Sequence, residues 1–166
     1  MAVFFEQPAM KQITDATLDE LAEQAQASKR QRANLNLHEQ LDDPIQRLAI
    51  AMEPGTYVRP HRHPHTWELL TPLRGRFLVL YFNESGTVTA RTILGEESRM
   101  VENPAGQWHA VLSLDAGGVI FEVKHGPYQP LAESDLAPWS PAADSAAASA
   151  LLDWYKGARV GDRLPG

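Results

Sequence analysis

The chain has 166 residues, 43% of them hydrophobic and 8% aromatic, which suits one domain with a sizeable core. Its formal net charge of -6 argues against nucleic acid and against an anionic membrane as a partner. The absence of cysteine excludes disulfides and thiolate ligands and leaves any metal to histidine and carboxylate. No segment approaches the roughly 20 apolar residues of a spanning helix, and the N-terminus lacks a signal-peptide core, so we expect a cytoplasmic protein.

The N-terminal part predicts a short strand and a helix. Val3–Phe5 is an apolar run that would suit an edge strand. Thr17 and Glu20 have the spacing of a capping box, and the apolar residues after them recur every three or four positions. We therefore predict an amphipathic helix over about 17–28. Its buried stripe would comprise Leu18, Leu21, Ala22 and Ala25.

Polar and apolar residues alternate in the next segment, KRQRANLNLHEQ, where a strand would place the polar set on one face. That set is Arg30, Arg32, Asn34, Asn36 and His38, with Ala33, Leu35 and Leu37 on the other face. The polar face would either lie in water, as in many half-buried sheets, or line a polar cavity. Residues 29–62 also carry more Lys and Arg than Asp and Glu, on an otherwise acidic protein.

Short strands and turns then follow one another without intervening helices, which predicts an all-β sandwich or barrel over about 29–125. The strands are expected at 46–52, 67–73, 75–82, 88–94, 101–102, 108–114 and 119–124.

The segment after the strands, about 126–157, predicts an extended wrap and a last helix. Its prolines favour an extended path, with Tyr128 and Trp139 as anchors on the barrel. The helix is predicted at about 144–156, with Asp144 as its N-cap and Gly157 as its stop.

Three histidines and a glutamate predict a metal site. His61 and His63 are two residues apart, so both rings would leave one face of a strand, and turns can bring Glu68 and His109 to them. Three nitrogens and one oxygen suit one divalent ion of Zn, Fe, Mn, Ni, Co or Cu rather than Ca or Mg. Each histidine taken alone would also fit an ordinary hydrogen-bonded or surface residue.

His65 shares the parity of His61 and His63 and would reach the same face. Pro64 interrupts strand hydrogen bonding just before it, however, and Glu68 already supplies the carboxylate. A place at the rim of the site therefore competes with ligation for His65.

The spacing from Gly55 to Gly75, through His61, His63 and Glu68, matches the first motif of the cupin superfamily without a gap. The sequence PAGQWH, ending in His109, matches the core of the second motif, although Ser98 and Ser113 replace an expected glycine and asparagine. From about Lys29 to Pro141 the chain also resembles the cupin-fold metalloproteins of the WbuC type. The matching segments are RQRANLNLH, PIQR, PGTYVRPHRH, WELL, PAGQWH, EVKHGPY and APWSP.

This resemblance implies a single cupin domain over 1–166, a double-stranded β-helix or jelly-roll barrel with an N-terminal and a C-terminal helix. It also implies the metal site, a link to polysaccharide biosynthesis, since members are often encoded with such genes, and a tendency to dimerise. The apolar N-terminal run and the long C-terminal wrap offer surfaces for a homodimer.

The cationic and amide side chains predict the class of ligand. If they converge on the metal, their donors would hold carboxylate, phosphate or sugar hydroxyls. The candidates for substrate binding are Arg30, Arg32, Asn34, Asn36, Arg59 and Arg76. Arg30 and Arg32 would alternatively pair with the acidic N-terminal helix or a second subunit.

Three functions are compatible with these residues. The first is a metal-dependent isomerase or epimerase of a polar, acidic or phosphorylated sugar-like compound, in which Glu122, Lys124 or His65 moves a proton. The second is an Fe(II)-dependent dioxygenase. The third is a non-catalytic module that binds a sugar or an anion through the metal.

Overall fold

The protein is described by a computed structural model over residues 9–165, so the strand predicted at Val3–Phe5 lies outside the described residues. Within these residues, two α-helices and eight strands follow one another. They are α1 (Asp15–Ala27), β1 (Arg32–Asn36), β2 (Ile45–Met52), β3 (Glu68–Arg74), β4 (Phe77–Phe82), β5 (Val88–Leu94), β6 (Val101–Asn103), β7 (Trp108–Ser113), β8 (Gly118–His125) and α2 (Ala146–Gly157). The strand bounds agree with the predicted ones to within two residues.

The strands form two antiparallel sheets packed face to face. One has the order β1-β2-β8-β3-β6 and the other the order β5-β4-β7. Apolar side chains from both sheets meet between them, among them Ile50, Leu70 and Ile120 from the first and Phe77 and Val111 from the second. This topology confirms the predicted jelly-roll barrel with flanking helices.

Helix α1 covers the outer face of the five-stranded sheet, where its predicted apolar stripe is buried. The helix begins two residues before the predicted start, because Thr14 rather than Thr17 is the N-cap. The Thr14 hydroxyl accepts from the backbone N–H of Thr17 at 3.2 Å, and the Thr17 hydroxyl accepts from the N–H of Thr14 at 3.1 Å. Thr17 therefore makes the reciprocal bond that the sequence assigned to Glu20.

The C-terminal segment covers the outer face of the three-stranded sheet. Trp139 packs against Phe82 and Trp108, with ring centroids 5.0 and 6.2 Å apart, as expected of an anchor. Helix α2 adds Leu151 and Tyr155 to the same apolar cluster. The wrap therefore completes a second core outside the barrel.

Three details of the C-terminal prediction are wrong. Tyr128 is 53% exposed and so does not anchor the wrap. Ser145 rather than Asp144 is the N-cap of α2, without a side-chain hydrogen bond to the helix. Gly157 is the last residue of α2 rather than its stop, and the chain leaves the helix at Ala158 in an extended conformation.

Within residues 9–165, no helix is long and apolar enough to cross a membrane.

Candidate metal centre

The four predicted ligands reach one place from three parts of the chain. Glu68 is the first residue of β3 and His109 the second of β7, so the two sheets each supply one ligand. His61 and His63 do not lie on a regular strand, contrary to prediction. Pro60 and Pro64 flank them and lack the N–H groups that a strand needs. The segment is held instead by a backbone pair, with His61 N–H to His109 O at 3.0 Å and His109 N–H to His61 O at 2.9 Å.

These four side chains form a compact, buried cluster whose ligand atoms all lie within 4.8 Å of one another. Glu68 Oε2 is 3.0 Å from His63 Nε2, and Glu68 Oε1 is 3.3 Å from His109 Nε2. The ring centroids of His61 and His109 are 4.5 Å apart. This is the spacing of groups that converge on one ion.

Backbone carbonyls fix the tautomers of two of the histidines. The Nδ1 atom of His61 lies 2.8 Å from the carbonyl oxygen of Arg59, and that of His109 lies 2.9 Å from the carbonyl oxygen of Gln107. A carbonyl oxygen only accepts, so both Nδ1 atoms carry the proton and both Nε2 atoms of the neutral rings present a lone pair. Metal-bound histidines are oriented in this manner.

The Nε2 atoms of His63 and His109 are buried and have no hydrogen bond of acceptable geometry among the described residues. Each nevertheless faces an oxygen of Glu68. In a neutral His109, whose Nδ1 carries the proton, the Nε2 lone pair is directed at Glu68 Oε1; that contact is repulsive, and a cation between the two atoms would remove the repulsion. The donor set therefore fits a bound metal ion.

The charge states also suit metal binding. Burial lowers the pKa of His61 to about 3, so its ring is neutral at physiological pH. Burial alone would raise the pKa of Glu68, but the contacts from His109 and His63 outweigh it and hold that pKa well below its usual value. Burial lowers the pKa of His109, but Glu68, the Gln107 carbonyl and Glu122 together outweigh it and raise that pKa above its usual value. An ion would therefore compete with a proton on His109.

Two residues that the sequence analysis did not single out hold Glu68. Asn103 stands opposite Glu68 across β6 and β3 and donates from Nδ2 to Glu68 Oε1 at 3.2 Å. The Tyr81 hydroxyl donates to Asn103 Oδ1 at 2.7 Å. The sequence does offer one signal, since Asn103 directly precedes Pro104 of the second motif.

Glu122 and Lys124 lie beside the cluster on β8. Lys124 stands opposite Glu68 on the neighbouring strand, and Glu122 stands two residues away on the same inner face. Lys124 Nζ lies 2.6 Å from Glu122 Oε1 and 4.0 Å from Glu68 Oε2. Burial and the nearby Glu68 raise the pKa of Glu122, and Lys124 only partly offsets them. The structure thus places two of the three candidate proton-transfer residues, Glu122 and Lys124, next to the cluster.

The polar side of β1 faces the inside of the barrel. Arg32 stands opposite Met52, Asn34 opposite Ile50 and Asn36 opposite Leu48, and the three partners belong to the core between the sheets. The Asn34 and Asn36 side chains are exposed to solvent at the same time. This strand therefore forms an open edge of the barrel interior and combines the two arrangements considered from the sequence.

Arg59 and Arg76, two predicted substrate-binding residues, are engaged elsewhere. Arg59 Nε donates to Ser140 Oγ at 2.9 Å and its Nη2 donates to the Ala137 carbonyl at 3.2 Å, so it anchors the C-terminal wrap. Arg76 pairs with Asp115 and Glu96. It directly precedes β4, at the opposite end of that strand from Tyr81, which stands opposite His109. These contacts hold both side chains against the protein and do not support a part in substrate binding, which stays a prediction for both residues.

His65 and Arg30 lie in solvent, with exposed side chains. Within the described residues, the cluster of potential metal ligands does not include His65. The structure is thus consistent with the rim position considered for His65 and does not support ligation. Among the described residues Arg30 makes no side-chain ion pair with the acidic helix α1, which pairs instead through Asp19 with Arg74 at 2.8 Å.

Comparisons with known proteins support the fold. A profile of the family described as domain of unknown function (DUF6016) matches residues 13–94. No protein of curated function matches the sequence. The structure is similar to that of CapF solved with the inhibitor 3-isopropenyl-tropolone, with 17% identity, 62% of this chain and 30% of that chain covered, and a TM-score of 0.52.

Two further solved structures are similar to this chain. The protein BH2720 from Bacillus halodurans has 17% identity, with 73% of this chain and 85% of that chain covered, and a TM-score of 0.50. A cupin superfamily protein from Desulfitobacterium hafniense has 17% identity, with 63% of this chain and 86% of that chain covered, and a TM-score of 0.48. At such identities CapF and BH2720 show the fold alone. Together with the two-sheet topology, they confirm the predicted jelly-roll fold for this chain.

Proposed function

We propose that the protein binds one divalent transition metal through His61, His63, Glu68 and His109 and is a metal-dependent enzyme of small, polar, anionic, sugar-like molecules. The observation that carries the metal site is the pair of buried Nε2 atoms, on His63 and His109, that face the ionised Glu68 without a hydrogen bond among the described residues. Three nitrogens and one oxygen suit Zn, Fe, Mn, Ni, Co or Cu. When bound, such an ion would polarise a carbonyl or hydroxyl group of the substrate.

Glu122 and Lys124 support an enzyme that moves a proton. A buried carboxyl group with a raised pKa is suited to hold or accept a proton near neutral pH, and Lys124 stabilises its anionic form at 2.6 Å. In an isomerisation or epimerisation, Glu122 would take a proton from one carbon of the substrate. In an isomerisation it would return that proton to the neighbouring carbon, while the substrate hydroxyl proton moves to the former carbonyl oxygen. In an epimerisation a second acid on the opposite face would supply the returning proton. The net reaction needs no oxidant or other co-reactant.

A place in polysaccharide biosynthesis is part of the proposal, and it is supported by the resemblance to the WbuC-type proteins. The polar strand β1 supports a hydroxylated substrate, because Asn34 and Asn36 present amide groups to solvent on the same face as Glu122. In this proposal the barrel interior combines a group that moves a proton, Glu122, amides that recognise hydroxyl groups, Asn34 and Asn36, and the bound ion.

The metal site is tested by comparing His63→Ala with His65→Ala. Both variants remove one imidazole from the same segment, but only His63 belongs to the cluster. After loading with Zn²⁺ or Mn²⁺ and desalting, we expect about one ion per chain in the wild type and in His65→Ala, and a large loss in His63→Ala. Equal metal content in the two variants would exclude the proposed ligand set.

The reaction class is tested with acidic and phosphorylated sugars in deuterated water. An isomerase or epimerase should place solvent deuterium on substrate carbon, observed by NMR, and Glu122→Gln should abolish this while keeping the metal. Consumption of oxygen with ferrous iron would instead indicate a dioxygenase. Binding of the sugars without any exchange or oxygen uptake would indicate a non-catalytic module.

A further inference from the structure

Arg32 is the first residue of β1 and faces the barrel interior. Its partner in the antiparallel register is Met52, a buried residue of the core between the sheets. Residues directly opposite one another project to the same face, so the Arg32 side chain starts on the face that carries Glu122 and Glu68. The Arg32 guanidinium interacts electrostatically with both carboxylates and with Lys124.

The Arg32 guanidinium has no partner among residues 9–165. Neither a side-chain hydrogen bond nor an ion pair within 4.0 Å involves it, whereas Arg59, Arg62 and Arg74 are all held by protein oxygens. Arg32 is nevertheless partly buried, and burial lowers its pKa despite the opposing charges of Glu122 and Glu68. A partly desolvated fork of five donors without an acceptor is suited to an anion supplied from solution.

The charges around the cluster favour an anionic ligand as well. Arg32 and Lys124 offset Glu68 and Glu122, so the four formal charges cancel. With the divalent ion of the proposed function, and with neutral histidines, the same region has a net charge of about +2. An oxyanion that reaches Arg32 would reduce this excess.

Asn34 and Asn36 add neutral hydrogen-bonding groups along the same side of β1. Asn34 Nδ2 donates to Asn36 Oδ1 at 3.0 Å, which orients both amides. The remaining Asn36 donors and the Asn34 oxygen are accessible, since both residues are exposed. Amides of this kind recognise hydroxyl groups.

We propose that Arg32 binds the carboxylate or phosphate oxyanion of a small polyhydroxy substrate. The hydroxyl groups of this substrate contact Asn34 and Asn36, and its opposite end lies at Glu122 and Lys124. The inference rests on the proposed function for the position of the reacting end. The anion subsite itself depends on Arg32 and its surroundings.

The test is a calorimetric titration with three probes that differ in charge: glucose 6-phosphate, gluconate and glucose. The variants are Arg32→Gln, Arg32→Lys and the control Arg99→Gln. Arg99 is an exposed arginine in the turn between β5 and β6, near the Arg76 end of the barrel, and its replacement removes the same charge.

We expect the wild type to bind at least one charged probe more tightly than glucose, and Arg32→Gln to weaken that binding by about 10- to 100-fold. Arg32→Lys keeps the charge but loses the planar fork, so its affinity should be intermediate. Arg99→Gln should match the wild type. Tighter binding of glucose 6-phosphate or of gluconate identifies phosphate or carboxylate as the natural group.

Equal affinities of Arg32→Gln and Arg99→Gln for the charged probes would overturn the proposal, and so would a wild type that prefers neither charged probe to glucose. Metal content and melting temperature are measured on every variant, and Arg32→Gln should retain both, because Arg32 has no protein partner within 9–165. Arg32-dependent binding in a protein that takes up no metal would refute the metal centre and leave the anion subsite standing. Normal metal content together with anion binding that does not depend on Arg32 would refute the anion subsite and leave the metal centre standing.

Discussion

Asn103 donates a hydrogen bond to Glu68 from the directly opposite position on the neighbouring strand, with 3.2 Å between Nδ2 and Oε1. Tyr81 fixes the direction of that amide by donating to its oxygen at 2.7 Å. Burial, together with Glu68 and Glu102, raises the pKa of Tyr81 to about 12, so the phenol keeps its proton at any physiological pH. Glu68 is thus held in one orientation by a short chain of two side chains.

Asn103→Leu is therefore expected to weaken metal binding. Leucine keeps the volume of the buried side chain but removes the donor to Glu68, and loss of such a partner reduces metal affinity by about 10- to 100-fold. Tyr81→Phe should have a smaller effect in the same direction. Competition with a chromophoric Zn²⁺ chelator measures both, with Tyr128→Phe at an exposed tyrosine as the control. Wild-type affinity in Asn103→Leu would show that Glu68 is positioned without the amide.

The Glu122–Lys124 pair should contribute to stability as a unit. Lys124→Met leaves a buried carboxylate close to Glu68, which should lower the free energy of unfolding by about 1–3 kcal/mol in the metal-free protein. Replacing Glu122 by Gln in the same chain should recover much of the loss, because the carboxylate that lost its closest partner is then removed. Urea unfolding of the single and double variants measures the coupling.

Lys156→Met is the matched control for that cycle. Lys156 and Asp153 lie 3.7 Å apart on the surface of α2, where water screens the pair. We expect little change in stability from this substitution. If Lys124→Met changed the free energy of unfolding equally little, Lys124 and Glu122 would not be coupled in the way that their 2.6 Å separation suggests.

Arg76 should govern the titration of Asp115 rather than the affinity for a substrate. Its hydrogen bonds lower the pKa of Asp115 below the ordinary aspartate value. A carboxyl group with a depressed pKa in the folded state stabilises the protein above its unfolded-state pKa, and this contribution is lost as pH falls through the folded-state pKa. In Arg76→Gln, NMR titration of the Asp115 carboxyl carbon should therefore show a pKa closer to about 3.9. An unchanged titration, or weaker anion binding in this variant, would contradict the assigned role.

The jelly-roll fold and the cluster of potential ligands could be predicted because both follow from local spacing. Short strands separated by turn residues predict a jelly roll, and the interval between His61, His63 and Glu68 brings the groups to one end of it. The reason given for the two histidines was nevertheless wrong. They meet through a backbone pair with β7, and not because they alternate along a strand of their own.

Arg59 shows why the surroundings of the cluster were harder to predict. It lies two residues from His61, and this closeness in sequence suggested a substrate-binding role. Its actual partners, Ala137 and Ser140, lie about 80 residues further along the chain and approach only after the C-terminal segment has wrapped around the barrel. The direction of a long side chain depends on such distant contacts, whereas the alternation along β1 grouped Arg32 with Asn34 and Asn36 on one face from local sequence alone.

The backbone pair between His61 and His109 also bears on how an ion would enter and leave. An ion held by these residues and by Glu68 would cross-link the two sheets, with its ligands fixed by main-chain hydrogen bonds on one side. If release of the ion requires this corner of the barrel to open, exchange between bound and free metal will be limited by local unfolding. The ion present when the chain folds would then remain bound long after the composition of the solution has changed.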